Sequence, residues 1–224
     1  MRNETGKIGP YDLNTIVTGD ARELAEAIPD ESVDLVFTDP VYDRIDDYRW
    51  LAETAARVLR PDRFCLIYYG VGYLPETAAA MSEFLTYEWA HVSYMPTINR
   101  RGAYKTFSNY SGFLRYMKGR AIPQKHIRDL YVSTYRSSNS GHKWTKHAGL
   151  IGHHIMALAP PMGAVIFDPF TGSGTVPAVC KMLQRDYIAF EIDPDTAAMA
   201  RQRVAETQPP LPIVMAEQQG FDLE

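Results

Sequence analysis

Two cysteines in 224 residues, Cys65 and Cys180, exclude a disulfide framework and any C-x-x-C metal motif. Both fall in apolar, periodic segments, which reads as reduced, buried thiols in a cytoplasmic protein. No apolar run approaches the roughly 18 residues that a membrane span needs. The polar stretch Met1 to Lys7 holds no signal-peptide core. Repeats and low-complexity tracts are missing, as is any linker rich enough in Gly, Ser or Pro to divide the chain. One domain spanning 1–224 is therefore expected.

An excess of one charge is also missing overall. There are 23 basic and 27 acidic residues, a net charge of −4. The distribution is less even. From Pro96 to His147 six Arg and five Lys face one acid, Asp129, so this block carries 11 − 1 = +10 and the remainder 12 − 26 = −14. A basic block of about 96–147 inside an acidic body suggests a local face for a polyanion.

The ordinary apolar content of 46% is arranged in alternating short runs and helical stretches. Thr15–Thr18 reads as a strand ending at Gly19-Asp20, with a helix over 21–27. Val33–Thr38 is a buried strand running into Asp39-Pro40-Val41-Tyr42. A helix over 46–60 stops at Pro61-Asp62, and Phe64–Tyr69 is the next strand. A helix over 75–84 and a strand over 88–94 follow. The Arg-, Gly-, Ser- and Asn-rich stretch 97–109 reads as a loop, and Tyr110–Lys118 as a strand. Aromatics every third residue (Tyr104, Phe107, Tyr110, Phe113, Tyr116) also permit a helix there, but Gly112 and its polar neighbours favour the strand. A polar loop over 136–140, a helix over 146–158, a strand over 164–167, a helix over 176–185, a strand over 187–190 and a last helix over 196–205 complete the order. Such alternation implies a mostly parallel sheet covered on both faces, an α/β architecture.

The most informative stretch is Asp168-Pro169-Phe170-Thr171-Gly172-Ser173-Gly174-Thr175, set between a strand and a helix, with Glu191 at the end of the following strand. Glycines at 172 and 174 let the backbone turn tightly and approach a ligand. An acid one strand further on can bind ribose hydroxyls. A dinucleotide site would want a third glycine where Pro177 stands, and Asp168 would repel a pyrophosphate. An adenosine carrying a cation fits better, and S-adenosylmethionine answers that description. Asp39-Pro40-Val41-Tyr42 offers a carboxylate and a carbonyl on a rigid turn, followed by a ring able to stack on a heterocycle. Among the histidines and cysteines no ligand spacing supports a metal site.

Taken together, Thr38-Asp39-Pro40-Val41-Tyr42 upstream and the Asp168–Thr175 loop downstream resemble the paired signatures of the β-group DNA amino-methyltransferases. The family usually has a second proline where Val41 stands, and a proline in place of His147. The resemblance spans roughly Ile16 to Val204. It implies a doubly wound, Rossmann-like class I methyltransferase fold in circularly permuted order, with the glycine loop late in the chain.

The resemblance also assigns roles. Asp39, Pro40 and Tyr42 are the catalytic residues. Asp20, Asp168, Pro169, Phe170, Thr171, Gly172, Ser173, Gly174, Thr175 and Glu191 bind S-adenosylmethionine, joined by His142 and Lys146 of the segment before the glycine loop. The substrate is an exocyclic amino group of a flipped DNA base, with adenine N6 favoured by the aspartate at position 39 and cytosine N4 as the alternative. Arg100, Arg101, Lys105 and Arg136 are the expected DNA contacts. A cytoplasmic enzyme, bacterial or phage-encoded, is implied, and a homodimer is common in the group. A catalytically degenerate nucleic-acid-binding module is the non-enzymatic alternative.

Overall fold

The computed structural model describes residues 6–101, 106–132, 145–160 and 163–208. The chain opens on a short antiparallel hairpin, β1 (Lys7–Ile8) and β2 (Tyr11–Asp12). Next come β3 (Thr15–Thr18), α1 (Ala21–Leu24) and a 3-10 turn over Ala25–Ala27. The middle of the chain holds β4 (Val33–Thr38), α2 (Ile45–Val58), β5 (Leu59–Tyr69) and α3 (Leu74–Ser82). An antiparallel pair follows, β6 (Thr86–Arg101) and β7 (Thr106–Lys118), then β8 (Leu130–Val132). Last are α4 (Thr145–Leu158), β9 (Val165–Asp168), α5 (Thr175–Met182), β10 (Asp186–Glu191) and α6 (Pro194–Glu206).

Eight strands form one sheet in the order β3-β10-β9-β4-β5-β7-β6-β8. The first five run parallel; β7 enters antiparallel between β5 and β6, and β8 lies parallel to β6. The expected mostly parallel α/β sheet is present. All six residues of β4 are buried, as a central strand covered on both faces requires. Alternate residues feed two cores. Leu35, Phe37 and Leu66 pack with Ile151, Ile155, Val179 and Ala197, under α4, α5 and α6. Val36, Cys65 and Ile67 pack with Tyr48, Leu51, Ala80 and Met81, under α2 and α3. Both cysteines are buried and free.

Two local readings change. The stretch 97–109 was expected as a loop, yet β6 runs on through Arg101, and Asn99, Arg100 and Arg101 pair with Ser108, Phe107 and Thr106. Ser, Asn and Arg have low strand propensity, but cross-strand pairing decides the outcome. A register shift between Tyr94 and Asn99, around Pro96, absorbs the residue that cannot donate. β5 also begins at Leu59, directly after α2, ahead of the expected stop at Pro61-Asp62. Asp62 there takes φ +57, and the pairing with β4 slips between Val33 and Leu35. The short strand β8 was not anticipated at all.

The topology locates a crevice. From β4 the chain crosses to β5 on one side, and from β9 it crosses to β10 on the other. β4 and β9 are neighbours. Crossovers that diverge in this way leave a gap beyond the carboxyl ends of the two strands. Both sequence motifs sit there, Asp39–Tyr42 after β4 and Asp168–Thr175 after β9.

Candidate active site at the β4–β9 crevice

Thr38, the last residue of β4, is 1% exposed, and Asp168, the last of β9, is 3% exposed. The Thr38 hydroxyl donates to Asp168 Oδ1 at 2.7 Å and accepts from the Phe170 N–H at 3.2 Å. Desolvation pushes the Asp168 carboxyl up to about 7, even though the Thr38 hydrogen bond favours the charged form. Thr171 turns its buried hydroxyl toward the same carboxylate without completing a hydrogen bond.

The glycine loop is held by the protein itself. Phe170 N–H goes to Thr38, Thr171 N–H to the Phe190 carbonyl (3.0 Å), Gly172 N–H to Glu191 Oε2 (2.9 Å) and Gly174 N–H to the Thr171 carbonyl (2.9 Å). Those N–H groups are what a phosphate cradle would need free. Gly172 takes φ +50, and a Cβ built there would meet nothing within 4 Å, so the loop turns its backbone to open space. Gly174, at φ +77, is different: a Cβ would come 3.0 Å from Ala200. Ser173 and Thr175 turn toward α6, where Arg203 Nη1 reaches Thr175 Oγ1 at 2.7 Å and Ser173 Oγ at 3.4 Å. Pro169 is buried and Phe170 half-buried.

Glu191 closes the other side. Its second oxygen accepts from Asp193 N–H at 3.0 Å, so one carboxylate spans the glycine loop and the turn into α6. Thr18 of β3 pairs with Glu191, and the Gly19 N–H donates to its carbonyl at 2.9 Å. This brings Gly19-Asp20 to the same rim. Asp20 caps α1, its carboxylate accepting from Arg22 N–H at 2.8 Å. Arg22 lies over the Trp50 ring, 5.7 Å from its centroid, and Trp50 meets Phe170 edge-on at 5.7 Å. An aromatic wall therefore joins the glycine loop to α1 and α2.

Asp39 stands at the lip of the crevice, open to solvent yet crowded by protein on its other sides. That loss of water pushes its carboxyl up to about 6, while a hydrogen bond from the Tyr42 hydroxyl holds it back. Burial and then the Asp39 charge push the phenols of Tyr42, Tyr48 and Tyr68 upward, which keeps them neutral donors. Tyr42 lies directly on Gly70, where a Cβ would sit 2.7 Å from the tyrosine Cβ. Pro40 is buried and Val41 is 53% exposed.

The crevice thus brings together Asp20, Asp39, Pro40, Tyr42, the Asp168–Thr175 loop and Glu191. Lys146 belongs to the first turn of α4. Arg100 and Arg101 lie on β6 instead of the expected loop. His142, Lys105 and Arg136 fall outside the described residues. Two members of the basic block are drawn inward: Arg115 is 6% exposed and paired with Glu88, and Lys118 binds Glu31 and the Leu59 carbonyl. Gly70 and Trp50 were not singled out for function in the sequence, and Thr38 was quoted in the upstream signature without a role. The signal for Thr38 was available, since a hydroxyl at the end of a buried strand must find a partner.

Cavity size alone points elsewhere. The larger described cavity, about 820 Å³, lies over β6, Arg115 of β7 and the 122–132 segment, and includes none of the residues that form the β4–β9 crevice. A smaller one of about 400 Å³ is bounded by Asp43 to Asp47, just past Tyr42. The chemistry, with two strand ends and two motif loops, locates the site better than volume does. Among the described residues no three His, Cys, Asp or Glu side chains converge as metal ligands.

Comparison with known proteins agrees with this fold. The N6/N4 methyltransferase family model, described as DNA methylase, matches residues 120–202. The Type II methyltransferase M.BamHI of Bacillus amyloliquefaciens is 26% identical over 249 residues, covering 85% of this chain and 58% of that protein. The chain thus spans somewhat over half the length of this relative. Among solved structures, the M1.HpyAVI–SAM complex superposes with a TM-score of 0.69 at 22% identity, covering 85% of this chain and 98% of that one. The PvuII DNA methyltransferase, described as cytosine-N4-specific, gives a TM-score of 0.73 at 18% identity over 84% of this chain and 85% of that one.

The α/β fold is the one these solved methyltransferase structures share. The family match over residues 120–202 and the sequence relatives make the chain similar to the amino-methyltransferases of the N6/N4 family.

Proposed function

We propose that this chain transfers a methyl group from S-adenosylmethionine to an exocyclic amino group of a flipped DNA base, and that the base is adenine. The observation that carries the reading is the shared crevice. It holds an Asp39-Pro40-Val41-Tyr42 turn and a glycine loop whose Phe170, Thr171, Gly172 and Gly174 N–H groups are already consumed.

The residues present fit this cofactor. A loop with Phe170, Thr171, Gly172 and Gly174 N–H groups committed internally is poorly suited to phosphate, and the buried Asp168 carboxylate favours a cationic neighbour. Asp168 and the open backbone at Gly172 would face the amino-acid portion, with Glu191 and the Gly19-Asp20 rim toward the nucleoside. When bound, S-adenosylmethionine supplies an electrophilic methyl group on a sulfonium centre.

The chain's own contribution is to the amine. The lone pair of an aryl amine is delocalised into its ring, which makes it a poor nucleophile. Asp39, with the Pro40 carbonyl, would accept its two N–H bonds and localise the lone pair as the nitrogen pyramidalises. Much of the acceleration then comes from holding that nitrogen in line with the methyl carbon. The Tyr42 hydroxyl occupies Asp39 in the free protein. The arriving base would take over that acceptor, and the Tyr42 ring, backed by Gly70, would serve as its stacking surface. Extruding the base costs a few kcal/mol, offset by phosphate contacts from the basic block, with Arg100, Arg101, Lys105 and Arg136 as the candidates.

Incubating DNA, RNA and protein with labelled S-adenosylmethionine tests the class of substrate, and mass spectrometry of digested nucleosides tests the base. N6-methyladenine in DNA is the expected product. N4-methylcytosine overturns the choice of base; label in RNA or protein alone overturns the choice of DNA. DNA binding without incorporation favours the non-enzymatic module. Asp39→Ala should lose transfer by about 10³-fold while retaining the cofactor, and undiminished transfer would remove Asp39 from the mechanism.

A further inference from the structure

We propose that Thr38 is a positioning residue whose hydroxyl ties the catalytic turn to the glycine loop, so that seating the cofactor and aligning Asp39 are one event. The inference rests on the functional reading above and adds a residue to it.

The geometry is specific. Thr38 precedes Asp39 directly, and its backbone belongs to β4, so a hydroxyl held in one rotamer by two partners anchors the start of the catalytic turn. The same oxygen donates to Asp168 at 2.7 Å and accepts from Phe170 N–H at 3.2 Å. Its partners are therefore the acid that opens the glycine loop and the backbone two residues further on. All of this is buried: Thr38 is 1% and Asp168 3% exposed. With so little water within reach, the interaction fixes both partners in one orientation. β4 and β9 meet near this level through only Leu35–Ile166 and Val36–Phe167 pairing, so beyond Phe167 the hydroxyl takes over the work of the ladder.

A cationic ligand beside Asp168 needs its carboxylate ionised and correctly turned. Thr38 supplies both, as a donor to the charged form and as a stop on rotation. The groups facing Asp168 are Thr38 from β4, Thr171 and the Phe170 N–H from its own loop, the Asp39 carboxylate from the catalytic turn, and the Cys180 thiol from α5. Asp39 and burial work against ionisation, and Thr38 is the strongest opposing contact.

Thr38→Val preserves shape and removes the hydroxyl, whereas Thr38→Ser restores it. Two measurements separate the possibilities. Carbon-13 NMR of the aspartate carboxyls in the ligand-free protein should show Asp168 holding its proton about tenfold more tightly in the Val variant, with Ser close to wild type. Calorimetry with S-adenosylmethionine should show at least tenfold weaker binding for Val and rescue by Ser. The Val variant should also lose kcat, because Asp39 has lost its tie, whereas a purely structural role would move only thermal stability.

A Val variant that titrates and binds like wild type overturns the inference, and so does altered titration with unchanged affinity. If wild-type protein itself fails to bind S-adenosylmethionine, the functional reading falls first, and the coupling with it. That outcome differs from a wild type that binds and a Val variant that binds equally well.

Discussion

Glu191 Oε2 accepts a hydrogen bond from the Gly172 N–H at 2.9 Å, and Oε1 accepts one from the Asp193 N–H at 3.0 Å. One carboxylate thus holds a loop that follows β9 to a turn that follows β10. Such an acid has a structural task before any ligand arrives. Glu191→Ala leaves two N–H groups without acceptors and should lower the melting temperature by a few degrees, corresponding to about 1–2 kcal/mol. It should also weaken S-adenosylmethionine at least tenfold. Glu191→Gln, which keeps a carbonyl acceptor for one of them, should fall between. Calorimetry and thermal melts read both effects; an Ala variant with wild-type melting would show that the tie contributes nothing.

In the proposed mechanism Asp39 must be ionised to accept from the target amine. With its carboxyl pushed up to about 6, kcat/KM should fall as pH drops through about 6, with the proton blocking the acceptor. The Tyr42 hydrogen bond holds that value down, so Tyr42→Phe should move the acid limb to higher pH. The phenylalanine keeps the ring, and activity at pH 8 should be affected less than activity at pH 6. A pH–rate profile with an unmoved limb would separate Tyr42 from the ionisation of Asp39.

Asp168 shows the opposite face of the same physics. Its carboxyl lies near 7 in the folded chain and near 3.9 when unfolded. Between these values the folded state holds a proton that the unfolded state has released. Stability therefore falls as pH rises from about 4 to about 7, and the full cost persists above that. Asp168→Asn keeps an acceptor for Thr38 but never charges. It should be more stable than wild type at pH 8, by on the order of 2 kcal/mol, with the advantage vanishing toward pH 4. It should also bind the cationic cofactor poorly. Melting curves across pH decide the first point: a variant equally or less stable at pH 8 would mean that the buried charge is fully compensated.

Two buried histidines respond to acid. His154 is 0% and His91 2% exposed. His154 Nδ1 sits 2.8 Å from the Leu150 carbonyl, and its Nε2 lies 3.4 Å from His91 Nδ1. The first contact makes Nδ1 the donor, leaving Nε2 to accept from His91. Desolvation lowers His91 to about 4 and His154 to about 3, and for His91 the neighbouring Arg115 adds to the effect. Because the unfolded imidazoles protonate near 6.5, stability is present above that pH and lost as pH falls toward 4 and 3. His154→Leu should flatten the decline between pH 7 and 5 by about half, read from denaturant midpoints at several pH values. An equally steep decline would place its cause in other groups.

Much of this protein was legible in its residues. The alternation of apolar runs and helical stretches is a local property, so β4, α2, β9, α5 and β10 could be read within a few residues of their observed ends. The Asp39–Tyr42 and Asp168–Thr175 motifs are likewise contiguous, and their side-chain chemistry points to an amine and a cationic cofactor without coordinates. The β6–β7 pairing through Arg101 and the strand β8 were not legible, because they depend on partners elsewhere in the chain.

Tertiary structure alone decided how the motifs meet. Nothing local says that β4 lies beside β9, 130 residues away, or that the Thr38 hydroxyl would find Asp168. Nor does it say that Glu191 would be shared with the glycine loop, or that Arg115 would be buried against Glu88 instead of facing a polyanion. The reason is physical. Secondary structure and motif chemistry follow from short-range backbone and side-chain preferences. Strand order and buried polar pairing are fixed by the free energy of the whole packed sheet, where each buried hydroxyl or carboxylate must find its partner across the fold.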